Sequence, residues 1–115
     1  MHELGIAQQM AEIAISSIPP GIENPRVDRL NLKIGRLAAV VEDSLRFCFE
    51  IISKDTPLEG VKLVIEEIPV VVRCRECNHE WEIDGPVFKC PECGIGQVKV
   101  LSGRELQITS LELAD

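Results

Sequence analysis

Tyrosine is absent from this chain, tryptophan occurs once and phenylalanine three times. Basic residues are also in short supply: twelve Lys and Arg stand against nineteen Asp and Glu, for a net charge of −7. These shortages argue against a nucleic-acid binder, which needs basic patches to displace counterions and exposed aromatics on which bases stack. An acidic chain suits a protein partner or a cation better. No apolar run approaches the length of a membrane span. The first residues, Met1-His2-Glu3-Leu4, contain no basic stretch, so no secretory signal is read there. A Ser/His/Asp set, a glycine loop to cradle phosphate and a working carboxylate pair are all missing, and the chain is not read as an enzyme. No internal repeat or low-complexity segment is visible.

Cysteine is what the chain does have: five in 115 residues. Four form two C-x-x-C pairs, Cys74-Arg75-Glu76-Cys77 and Cys90-Pro91-Glu92-Cys93, with twelve residues between them. A C-x-x-C turn brings two sulfurs of one knuckle to a single ion, and two knuckles complete a tetrahedron. That pattern is a structural Zn²⁺ site of the four-cysteine kind, closed to substrate. Pro91 fixes φ in the second knuckle, and Gly94 can take positive φ just after the last ligand. Two disulfides would instead require an oxidising compartment. Rubredoxin-like iron would use the same four sulfurs. The missing signal sequence favours a reducing cytoplasm and a metal.

The rest reads as one small α+β domain with an insertion. Residues 4–18 show helical periodicity, with Ile6, Met10, Ile13 and Ser17 on one stripe flanked by Ala7, Ala11, Ala14 and Ile18. Pro19-Pro20-Gly21 ends that helix. Residues 27–34 alternate strictly, predicting a strand with Leu30, Leu32 and Ile34 inward and Arg29, Asn31 and Lys33 outward. Residues 37–41 are apolar and ambiguous. A second helix begins near Glu42, with acids in its first turn and Leu45, Cys48, Phe49 and Ile52 on its buried stripe. Cys48 is read as a small hydrophobe of that core. Residues 61–68 form a second strand.

Residues 70–73 lead into the cysteine module. Between the knuckles, residues 79–83 and 87–89 predict two short strands joined by Asp84-Gly85-Pro86, which makes a zinc ribbon. Trp81 and Phe88 supply its small core. Glu105–Leu113 alternates, slips phase at Ser110 as a bulge would, and has no apolar partner within the ribbon. It is expected to return to the first unit. The expected fold is therefore α+β: a small three-stranded sheet with two helices, interrupted by an inserted four-cysteine zinc ribbon. The expected domains are 1–69 plus 104–115, and 70–103.

Met1-His2-Glu3 is a second candidate metal site. The α-amine and the His2 amide nitrogen can close a five-membered chelate ring. That amide nitrogen and Nδ1 of His2 close a six-membered one, and the Glu3 amide nitrogen closes another five-membered ring. Four nitrogens in a plane suit Ni²⁺ or Cu²⁺. The bland reading is an exposed terminal histidine. His79, two residues after Cys77, is a partner of the zinc ligands from outside, a spare ligand or plain surface.

Taken together, Met-His-Glu at the start, the Ser44-Leu45 and Phe47–Phe49 helix, the Ile65–Pro69 strand end and the two knuckles resemble the HypA/HybF family of hydrogenase nickel-incorporation proteins. The resemblance spans essentially the whole chain. It implies a cytoplasmic metallochaperone for [NiFe] hydrogenase maturation, with Ni²⁺ as transient cargo at Met1, His2 and Glu3 and structural Zn²⁺ at Cys74, Cys77, Cys90 and Cys93. The partners it implies are a HypB-type GTPase, the hydrogenase large-subunit precursor and, in some organisms, urease maturation factors, with no nucleic acid and no membrane. Some relatives carry a histidine after each C-x-x-C; here His79 matches the first, but Gly94-Ile95 follow the second. The alternative from the residues alone is a zinc-ribbon module for protein interaction or nucleic-acid binding.

Overall fold

In the computed structural model, residues 2–83, 89–94 and 96–114 are described, without the side chain of His2. The elements are α1 (His2–Ser16), β1 (Val27–Gly35), a 3-10 turn (Arg36–Ala38), α2 (Glu42–Ile52), β2 (Lys62–Ile68), β3 (Val70–Cys74), β4 (Glu80–Ile83), β5 (Val98–Ser102) and β6 (Leu106–Leu113). They form two compact units: residues 1–33, 40–66 and 107–115, and residues 34–39 and 67–106. The fold is α+β, with one three-stranded sheet in the order β2-β1-β6 and another in the order β4-β3-β5.

β1 behaves as its alternation predicts: Leu30 and Leu32 of the first unit are buried together with Val27, and so is Ile34, where the chain passes into the second unit. β6 returns beside β1, as expected. Asn31 Nδ2 donates to Ser110 Oγ at 2.9 Å, and Thr109 Oγ1 donates to the Asn31 carbonyl at 3.1 Å. Half-buried positions on β6 step by three from Ile108 to Leu111 and then by two to Leu113, so burial follows the phase slip seen in the sequence.

α1 packs against α2 through a different stripe from the one expected. Its buried residues are Glu3, Ala7, Met10 and Ala14, whereas Ile13 is 52% exposed. The residues read as flanking are the centre. Small side chains let two helix backbones approach closely, so alanines win the contact over bulkier isoleucines. The helix ends where Ser17 donates from both N and Oγ to the Ile13 carbonyl, just before the prolines. On α2, Leu45, Cys48 and Phe49 are buried and Ile52 is half-buried. Arg46 ties α2 to β2 by donating to the Leu63 carbonyl at 2.8 Å.

The second unit departs further from expectation. Val70–Cys74 is its central strand rather than a lead-in, pairing antiparallel with β4 on one side and β5 on the other. The Val-Val-Val run is β-branched, with Val70 and Val72 buried, which suits a central strand. Val98–Ser102 was not expected as a strand, yet it pairs Val100 with Val72 and Val98 with Cys74. The core is Val70, Val72 and Ile83, with Trp81, Val98 and Val100 packed against it. The expected strand 87–89 ends at Lys89, which lies in no strand. Its other residues, Phe88 as core partner of Trp81, and the Asp84-Gly85-Pro86 turn lie outside the described residues.

The stretch 34–39 docks on this unit through a close backbone crossing. Gly35 N–H donates to the Glu105 carbonyl at 2.7 Å, and Leu37 N–H to the Gly103 carbonyl at 2.8 Å. A Cβ on Gly35 would lie 2.0 Å from the Gly103 oxygen.

Candidate metal centres

The two knuckles are built alike. In the first, Asn78 N–H donates to the Cys74 carbonyl at 3.0 Å, and Asn78 takes φ +62°. In the second, Gly94 N–H donates to the Cys90 carbonyl at 2.9 Å, with Gly94 at φ +75°. Each C-x-x-C turn thus closes on a left-handed residue immediately after its second cysteine, where Gly and Asn are tolerated best. The Gly94 role was legible in the sequence; that of Asn78 was not singled out. Two backbone bonds anchor the first knuckle: Cys74 N–H to the His79 carbonyl at 2.8 Å, and Arg75 N–H to the Gln97 carbonyl at 3.0 Å.

These turns bring the four sulfurs within 4.8 Å of one another. Cys74 Sγ lies 3.5 Å from Cys93 Sγ, and Cys77 Sγ lies 3.6 Å from Cys90 Sγ. A tetrahedron with metal–sulfur bonds of about 2.3 Å has edges of about 3.8 Å, so the donor set fits Zn²⁺ in size and in chemistry. Cys74 and Cys90 are buried, and Cys77 and Cys93 are exposed. The Cys74 thiol is lowered to about 7: the Cys77 N–H favours its thiolate, burial opposes, and the Glu76 N–H and the Cys93 and Cys77 side chains add to the lowering. The Cys77 thiol is pushed up; the His79 N–H works against this, but desolvation and the thiols of Cys90 and Cys74 prevail.

The other sequence candidates are not among the clustered ligands. Cys48 is buried on α2, as its core reading requires. The ring of His79 stacks on Trp81, with centroids 5.7 Å apart and planes 14° from parallel, while its backbone supports the first knuckle. His79 is not among the metal-ligating side chains that the described residues bring together.

At the other end of the chain, Glu3 sits in the first turn of α1. Its side chain is only 6% exposed, and its carboxylate accepts the Val41 N–H at 3.2 Å. The sequence reading takes the Glu3 backbone nitrogen as the donor, with the carboxylate as the alternative ligand or as an anchor for His2. The signal for the burial of Glu3 was the spacing 3-7-10-14, once alanines rather than isoleucines are taken as the contact stripe. Met1 and the His2 side chain lie outside the described residues.

The chain was compared with known proteins. A family model described as hydrogenase/urease nickel incorporation, metallochaperone, matches residues 1–113. A hydrogenase maturation factor HypA from Desulfosudis oleivorans is 58% identical over 115 residues, covering all of both chains. Another, from Chloroflexus aurantiacus, is 44% identical and covers 97% of this chain and 98% of its own. A solution structure of the nickel metallochaperone HypA from Helicobacter pylori superposes with a TM-score of 0.68 at 18% identity, over 96% of each chain. At that identity the likeness concerns the fold.

Proposed function

The chain belongs to the HypA family, and from that premise we propose that it is a nickel metallochaperone for [NiFe] hydrogenase maturation, carrying Ni²⁺ at Met1-His2-Glu3 and structural Zn²⁺ at Cys74, Cys77, Cys90 and Cys93. The observation that carries this reading is the match over residues 1–113 to a family described by nickel incorporation. Its relatives bear the name of hydrogenase maturation factors at up to 58% identity.

The nickel chemistry is that of the chelate rings: the Met1 amine, the His2 amide and imidazole, and the Glu3 amide. α1 begins at His2, so the amides of His2 and Glu3 belong to its first turn. A helix start supplies no intrahelical acceptor for those N–H groups, so a metal that displaces their protons breaks no bond of the helix. The positive end of the helix dipole also favours the anionic amide nitrogens so formed. The buried Glu3 carboxylate then anchors the motif rather than ligating.

Zinc bound at the four sulfurs supplies a cross-link and no reaction. Cys74 sits at the end of β3, so that link closes the sheet of the second unit. The division of labour we propose is nickel handling by 1–69 plus 104–115 and a zinc ribbon at 70–103. The partners that follow are a HypB-type GTPase, a hydrogenase large-subunit precursor and, from the urease half of the family description, urease maturation factors. The work is cargo transfer in the cytoplasm, without catalysis. Among the described residues no helix is long and apolar enough to cross a membrane. The nucleic-acid alternative finds little support: Arg73 is spent on Glu80 at 2.8 Å and Arg36 on Glu67 at 2.7 Å.

Calorimetry with Ni²⁺ on tag-free protein, His2→Ala and an N-terminally extended form tests the reading. His2→Ala and the extension should each abolish tight nickel binding and leave zinc content unchanged. In the unmodified protein, affinity should fall as pH drops through the range in which the amine and imidazole protonate. Equal stoichiometry and affinity across all three proteins would sink the proposal.

A further inference from the structure

Two of the contacts among the four sulfurs join one knuckle to the other: Cys74 with Cys93 at 3.5 Å and Cys77 with Cys90 at 3.6 Å. Each contact joins one buried sulfur, Cys74 at 0% or Cys90 at 2% exposure, to one exposed sulfur. A soluble oxidant therefore reaches Cys93 or Cys77 first, and each of these has a buried thiol of the opposite knuckle within 3.6 Å. A disulfide needs about 2.05 Å between sulfurs, so each pair must close by only about 1.5 Å.

We propose that the cysteine cluster is an oxidative modification site, at which a peroxide converts the four thiols to two cross-knuckle disulfides, Cys74–Cys93 and Cys77–Cys90. The exposed sulfur of Cys93 attacks one peroxide oxygen as its thiol proton is lost; the O–O bond breaks, giving a sulfenic acid and water. The Cys74 sulfur then attacks the Cys93 sulfur, the S–S bond forms, and the hydroxyl leaves as water once protonated. Per pair, two thiols and one peroxide become one disulfide and two waters. Cys77 and Cys90 react in the same way with a second peroxide. Sulfurs tied up in disulfides no longer ligate, so zinc is released. The two bridges span 19 and 13 residues of sequence, so they hold the knuckles together in the metal's place. Thiol reductant with zinc reverses the change. Cys48 is buried on α2, is not among the clustered cysteines, and takes no part.

This inference deepens the zinc reading and rests on it only for the metal release. The order of basic residues supplies the test. Trypsin cuts after Arg73, Arg75, Lys89 and Lys99, so Cys74 leaves in peptide 74–75, Cys77 in 76–89, and Cys90 with Cys93 in 90–99. The full-length protein, with zinc and after stripping by a chelator, is treated with hydrogen peroxide and digested without reduction. The expected result is loss of four of the five thiols, release of one zinc per chain from the loaded sample, and a single species joining all three peptides. Fragmentation before Pro91 should place peptide 76–89 on Cys90 and peptide 74–75 on Cys93. Peptide 74–75 joined only to 76–89, with a closed loop inside 90–99, would overturn the cross-knuckle pairing. Sulfinic or sulfonic cysteines without linked peptides would overturn the disulfide step. Correct linkages in protein that never held zinc would uphold the pairing and overturn the zinc reading alone.

Discussion

Replacing Glu3 separates an anchoring carboxylate from a ligating one. The side chain is 6% exposed and accepts the Val41 N–H at 3.2 Å. A hydrogen bond to a charged group contributes roughly 1.5–3 kcal/mol, and a neutral one about 1 kcal/mol. Glu3→Gln keeps an acceptor oxygen in place and should cost about 1 kcal/mol. Glu3→Ala removes the acceptor and the buried side-chain volume, so about 2–3 kcal/mol is expected. For a chain of this size, 1 kcal/mol moves the melting temperature by roughly 4 °C. Melting followed by circular dichroism should therefore show losses of roughly 4 °C for Gln and 8–12 °C for Ala. If the donor at this position is the backbone nitrogen, nickel affinity measured calorimetrically below both transitions should change less than about tenfold for Gln, since 1.4 kcal/mol is a factor of ten in affinity. The opposite pattern, an unmoved melting temperature with nickel affinity down a hundredfold, would refute the anchor and make the carboxylate a ligand.

Three further perturbations test the rest. Cys74→Ala or Cys93→Ala should lose zinc and open residues 67–106 to proteolysis while α1 and α2 persist, because the stability of a small metal-bound unit is largely metal-binding energy; retained zinc on elemental analysis would contradict this. Cys48→Ala should cost about 1 kcal/mol in denaturant unfolding and change neither metal's stoichiometry. Gly35→Ala puts a methyl 2.0 Å from the Gly103 oxygen, where only backbone can yield, so a loss of about 3 kcal/mol or more is expected; a melting temperature within about 2 °C of wild type would show that this crossing is slack.

Much of the fold was legible because its strongest patterns are local. β1 alternates, α2 has acids in its first turn, and β6 has no apolar partner near it in sequence, which sends it elsewhere. The misreadings arose where tertiary contact overrode local hydrophobicity. On α1, Ile6 and Ile13 outweigh alanine on any scale of apolar strength, yet closeness of approach to α2 decides which face is buried. In the second unit, the stretch 70–73 looked like a linker because it lies outside the knuckles. It is central because β5, twenty-odd residues onward, pairs with it, and no local signal encodes a partner at that distance. The docking of 34–39 was hidden for a related reason: the sequence displays a glycine at 35, but not the carbonyl that would strike its Cβ.

The two metal motifs differ in how sequence reports them. In the cysteine cluster the donors are side chains, and the C-x-x-C spacing already states which sulfurs share a turn. The structure adds the positive-φ Asn78 that completes the symmetry with Gly94, and the sulfur contacts between knuckles. At the N-terminus three of the four proposed nickel donors are main-chain nitrogens, which every residue except proline possesses. A pattern of side chains cannot mark them, and His2 alone is a weak flag. What distinguishes this terminus is that α1 starts at His2 and buries Glu3 one residue later. The helix holds two amides in a first turn that asks for no intrahelical acceptor, and the Glu3 carboxylate pins that turn to Val41. Preorganisation of backbone donors, rather than the presence of a histidine, is what would set this terminus apart from any other chain that begins Met-His.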